Sequence, residues 1–142
     1  MANATMRKFG YPETLIRQWE HWAVLLRPAQ VTLGSLVLAA TSDATAFSGL
    51  PDEAFAEQAA VVRAIESALA RFVGYERINY LMLMMVDPNV HFHVIPRFSG
   101  PREWNGMTFA DEGWPGPPEL KSAIDLAPDR IGQLRDELKT FF

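Results

Sequence analysis

Apolar and polar positions alternate most regularly between Asn89 and Phe98. Asn89, His91, His93, Ile95 and Arg97 fall on one side of an extended chain, and Val90, Phe92, Val94, Pro96 and Phe98 on the other. This is the two-residue period of a strand. One face is apolar and suits a core; the other carries two imidazoles, an amide and a guanidinium. Upstream, Ile78 to Val86 is an apolar run broken only by Asn79 and the Tyr80 hydroxyl, as expected of a strand buried on both faces. Asp87-Pro88 marks the break, because proline has no N–H for a ladder and pushes the residue before it out of the helical region. Met82, Met84 and Met85 read as core filling.

The rest of the chain can be read in the same terms. Residues 1–10 are expected to fray, and Pro12 to open a short helix to Trp19 with Leu15, Ile16 and Trp19 on one side. Trp22 to Leu26 reads as a strand stopped by Arg27-Pro28, and Val31 to Thr41 as another, in which Gly34 marks a bulge or a close backbone approach. Pro51 to Val73 predicts a long helix. Asp52 and Glu53 suit its positive end, Phe55, Ala59, Val62, Ile65, Leu69 and Phe72 form an apolar stripe, and Gly74 suits the C-terminal cap. From Ser99 glycine and proline interrupt the chain, and Trp104 and Trp114 argue for a packed loop rather than disorder. Pro128 to Phe142 predicts a C-terminal helix with Ile131, Leu134, Leu138 and Phe141 on one stripe. The expectation is one α+β domain over residues 1–142 with an antiparallel sheet, its core at about 19–98 and a loop and helix over 99–142.

Composition narrows the class. The chain has 142 residues, 49% hydrophobic and 21% charged, which excludes disordered and fibrous classes. A net charge of −4 and the lack of a Lys/Arg cluster argue against nucleic acid as partner. The absence of cysteine rules out disulfides and thiolate metal sites and fits a reducing compartment. No apolar run approaches the roughly 20 residues of a membrane span, and the N-terminus lacks a signal-like apolar core. A cytoplasmic protein is expected.

Chemistry concentrates on one face of the Asn89–Phe98 strand. Residues two apart lie ~6.5–7 Å apart, so the rings of His91 and His93 can address one small group. Three readings stand: a satisfied, partly buried pair; a nucleophile and its acid partner; or two ligands of a metal, with Asp87 or His21 as the third. Without such a partner, His21 reads as a surface residue. Asn79 is either a strand-end amide or a hydrogen-bond partner of a phosphate or ribose. Arg97 is either structural or a phosphate donor.

The string Asn89-Val90-His91-Phe92-His93-Val94-Ile95-Pro96-Arg97, with Ile78-Asn79-Tyr80 and the Asp87-Pro88 turn before it, resembles the signature of the histidine triad family of nucleotide hydrolases and transferases. It looks like a bacterial branch with an Asn twelve residues before the middle histidine, and weaker similarity runs from about Trp19 to Arg97. The resemblance implies a sheet of about five antiparallel strands with helices packed on it, and a homodimer. It implies His91 as nucleophile on an α-phosphate, His93 as contact to phosphate and leaving group, Asn79 as a hydrogen-bond partner of the nucleotide and Asn89 at a supporting position, with no metal or cofactor; with Arg97 from the histidine face, Asn79 and Asn89 are the candidate substrate-binding residues. Diadenosine polyphosphates and adenosine phosphoramidates are the implied substrates. Two departures stand out: Asn89 occupies the first triad position, and Ser35 follows Gly34 where many relatives have histidine. They leave open a nucleotide-binding module that no longer turns over.

Overall fold

The computed structural model describes residues 2–142. A short helix α1 (Ala4–Lys8) leads into strands β1 (Leu15–Gln18), β2 (Trp22–Leu26), β3 (Ala29–Gln30) and β4 (Leu36–Ala40). The long helix α2 (Asp52–Val73) follows, then β5 (Arg77–Leu81), β6 (His91–Arg97), β7 (Arg102–Trp104), β8 (Met107–Phe109), β9 (Ile124–Asp125) and α3 (Pro128–Lys139). One five-stranded antiparallel sheet in the order β1-β2-β4-β6-β5 carries the molecule, flanked by the small pairs β3–β9 and β7–β8. The α+β class and the antiparallel sheet agree with the sequence reading. Among the described residues no helix is long and apolar enough to cross a membrane.

Strand parity explains the layers. Trp22, Val24, Leu26, Leu36, Leu38 and Val94 face α2 and α3 in the main core. Ala23, Leu25, Val37 and Ala39 point the opposite way and are covered by Met6, Phe9 and Tyr11 of the N-terminal segment. His91 pairs with Ala39 and His93 with Val37, so both imidazoles lie on this second face.

Several expectations need correction. Residues 15–18 pair with β2 as a strand, since Leu15 and Ile16 suit either period and the open edge of β2 takes up their backbone groups. The helix lies earlier, where Asn3 caps it by accepting from the Met6 N–H. The buried stripe of α2 is Ala54, Val61, Ile65, Ala68, Leu69 and Val73, a rotation that leaves Phe55 exposed. Small Ala54 brings the helix close enough for the Trp22 indole to donate to its carbonyl, at 2.7 Å. Gly74 caps the helix as expected, in the left-handed region at φ 59°. The run beginning at Val31 becomes a strand only at Leu36; Gly34, at φ 96°, turns the chain where a Cβ would stand 3.2 Å from Leu69. The hairpin before β6 opens at Met82 rather than Asp87, and Met85, read as core, is 85% exposed. On the other arm the Asn89 N–H is taken up by Thr5 Oγ1 and is not offered to residues 82–86.

Candidate active site

β6 holds both histidines rigidly because it lies between β4 and β5. The rings stand edge to face with centroids 5.1 Å apart. His91 Nδ1 lies 2.7 Å from the Asn89 carbonyl oxygen, which accepts its proton and leaves the lone pair on Nε2. That Nε2 is buried and has no hydrogen-bond partner among the described residues. His93 Nδ1 accepts from Arg27 Nε at 3.3 Å, so the neutral ring carries its proton on Nε2.

The face is closed. His91 is 0% and His93 7% exposed. The Phe9 ring stands 5.7 Å from the first imidazole and 5.5 Å from the second. A partly buried pair is one of the three readings of the sequence; nothing in the local pattern signals the cover itself, because it comes from the N-terminal segment. Burial, then the nearby Arg27 and His91, push His93 down to about 4, with Asp87 opposing. Protonation is therefore taken up by the unfolded chain first, near pH 6.5, and by the folded one only near 4. Stability due to this group is present above pH 6.5 and lost as pH falls towards 4. Urea unfolding at pH 7 and pH 5 should show a larger loss in the wild type than in His93→Gln; equal losses would count against the shift.

Asn89 does not offer its amide to the histidine pair. Its Oδ1 accepts from the Thr5 N–H at 3.2 Å and the Thr5 hydroxyl at 3.0 Å, and its Nδ2 donates to the Asp43 carbonyl at 3.0 Å. Its own N–H donates back to Thr5 Oγ1 at 3.1 Å. Ser35 is structural as well: its hydroxyl donates to the Thr32 carbonyl at 2.8 Å and accepts from the Thr32 N–H at 3.0 Å.

Asn79 and Arg97 lie on the histidine face but farther along it. Asn79 pairs with Ile95, and Arg97 is four residues beyond His93, ~13 Å along the strand. Of the two readings of Arg97, structural or phosphate donor, the geometry favours the first, because its guanidinium is engaged. Nε and Nη2 donate to the Asp111 carboxylate at 2.6 and 3.1 Å, Nη1 to Asn79 Oδ1 at 2.7 Å, and Nη2 to the Gly116 carbonyl at 2.8 Å. Arg77, Asn79, Arg97, Trp114 and Gly116 line a cavity of about 380 Å³. The nominated residues thus divide into a covered pair, His91 and His93, and a separate cavity at Asn79 and Arg97.

The residues missed from the sequence are Thr5, Phe9, Arg27 and Asp111. Only Arg27 left a trace, two positions after Leu25 and therefore on its side of β2; strand order was needed to bring it to His93. The metal reading lacks its third ligand, since among the described residues no three His, Asp or Glu side chains gather. Asp87 instead lies 3.6 Å from Lys8, and the His21 backbone N–H is held by Glu57 of α2, which packs on the opposite face.

No family model matches the sequence, and no curated protein matches it. Solved structures do match. A histidine triad protein from Sinorhizobium meliloti is 18% identical, with 100% of this chain and 96% of that one covered at a TM-score of 0.76. A histidine triad protein from Bradyrhizobium japonicum is 16% identical, with 99% and 96% covered and a TM-score of 0.73. The diadenosine triphosphate hydrolase of Plasmodium falciparum, solved with cyclomarin A, is 9% identical, with 92% and 76% covered and a TM-score of 0.66. With its sheet order and helices aligned over nearly the whole chain, the protein has the fold of the histidine triad proteins.

Proposed function

We propose that the protein is a nucleotide hydrolase or nucleotidyl transferase that cleaves a phosphoanhydride or phosphoramidate bond at an α-phosphate through a covalent nucleotidyl-histidine. The observation that carries this is His91: its Nδ1–H is fixed on a carbonyl of its own strand, and its Nε2 lone pair is unclaimed. In the first step Nε2 forms a bond to the α-phosphorus as the bond to the leaving oxygen or nitrogen breaks. The leaving atom keeps the electron pair: a phosphate oxygen departs as an anion hydrogen-bonded by His93 Nε2–H, the donor that Arg27 selects, and a nitrogen departs after taking a proton from solvent. Water then attacks phosphorus, the Nε2–P bond breaks with its electron pair returning to His91, and the proton of the water passes to solvent. Diadenosine polyphosphates and adenosine phosphoramidates are the proposed substrates, a choice supported by the motif and by the hydrolase among the proteins that share this fold.

The burial of His91 favours a second reading, a binding module without turnover. Calorimetric titration with AMP, run beside product formation from adenosine phosphoramidate and diadenosine polyphosphate, separates the two. Turnover of either substrate is expected; tight AMP binding with no product would leave only the module.

A further inference from the structure

The cover over the imidazoles is one short segment. α1 spans only Ala4–Lys8, too short to be stable as an isolated helix. Asn3 Nδ2 ties it down by donating to the Ala40 and Ser42 carbonyls at 2.9 and 2.8 Å. Thr5 adds the reciprocal clasp on Asn89, and Met6 and Phe9 supply apolar contact. Immediately after Phe9 the chain turns at Gly10, whose φ of 91° favours glycine. Beneath this segment the His91 Nε2 is polar, enclosed and unpaired, a state that costs free energy and is rare in folded proteins unless function requires it.

We propose that residues 2–9 are a gate, latched by Thr5 on Asn89, which must lift about Gly10 before a phosphate reaches His91. The proposal rests on the reading of His91 as nucleophile and adds how access to it is controlled. Asn89 is suited to the latch because its amide oxygen accepts two hydrogen bonds while its NH2 donates a third, a combination that an imidazole lacks. Its carbonyl meanwhile orients His91, so the residue that fastens the gate also aligns the ring underneath. While the gate is mostly shut, the apparent kcat/KM equals the intrinsic value multiplied by the open fraction.

The test uses the full chain with Thr5→Val, which removes the hydroxyl at nearly constant size, and Thr5→Ser, which retains it. Three rates are measured: hydrogen exchange of peptides covering 2–9, carbethoxylation of His91 by diethyl pyrocarbonate with partly exposed His21 as internal reference, and kcat/KM for adenosine phosphoramidate. In Thr5→Val all three should rise by one common factor of about tenfold, with Thr5→Ser at the wild-type values. Faster exchange with unchanged carbethoxylation of His91 overturns the gate, and unchanged exchange overturns the latch. If carbethoxylation follows exchange while every form lacks turnover, the gate stands and the nucleotidyl-transfer chemistry falls.

Discussion

His91→Ala is expected to lose at least about a thousandfold in kcat, because the variant has no atom able to form the bond to phosphorus. His93→Ala should lose less, about a hundredfold, since water or Arg27 can partly stabilise the departing group. The contrast in size assigns the roles. Both rings arise from one strand and stand 5.1 Å apart, so a general distortion of the site would damage the two variants alike. Circular dichroism and thermal unfolding establish that each variant is folded. Undiminished kcat in His91→Ala, or the larger loss in His93→Ala, would reverse the assignment. KM offers a second check: loss of a group that acts in bond formation lowers kcat with KM little changed.

Asp111→Ala should destabilise the fold by about 3–5 kcal/mol, because it leaves the Arg97 guanidinium buried without its counter-ion. The pair is enclosed, with side chains 4% and 1% exposed, and the carboxylate also accepts from the Phe98 N–H at 3.3 Å. For a chain of this length the loss corresponds to a Tm lower by on the order of 10 °C. Replacing both partners by apolar residues of similar volume, Arg97→Met with Asp111→Leu, should recover much of it, since no charge then stays buried. A shift of only 1–2 °C in Asp111→Ala would show that Arg97 is free to serve a ligand instead. The same bonds define the wall of the Asn79 cavity, so the loop bearing Trp114 and Gly116 depends on this ion pair as well.

The sequence shows what depends on local period and little of what depends on distant packing. The alternation from Asn89 to Phe98 is visible because one face meets a core and the other does not, and β6 lies within it. The long helix was legible from its ends, Pro51 and Gly74, but not its orientation, because an alanine-rich helix offers two overlapping apolar stripes. Asn105-Gly106 announces the β7–β8 hairpin, where both residues take positive φ. The closing of the histidine face could not be read locally. Thr5 and Asn89 are 84 positions apart and Phe9 looks like any residue of a loose terminus, so the contact exists only once β2, β4 and β6 lie side by side. Arg97 was legible as a cation on the histidine face, but its partner Asp111 sits in the glycine- and proline-rich loop that gave no period to follow.

The covalent step remains the centre of the proposal, and it can be caught directly. Enzyme mixed with an α-labelled adenosine substrate and quenched within milliseconds in alkaline denaturant should carry label on one peptide, with AMP mapped by mass spectrometry to Nε2 of His91. The stereochemistry at phosphorus should be retained through the two displacements. Turnover without any nucleotidyl-protein at the shortest times, together with inversion at phosphorus, would mean that water attacks directly and that His91 forms no bond.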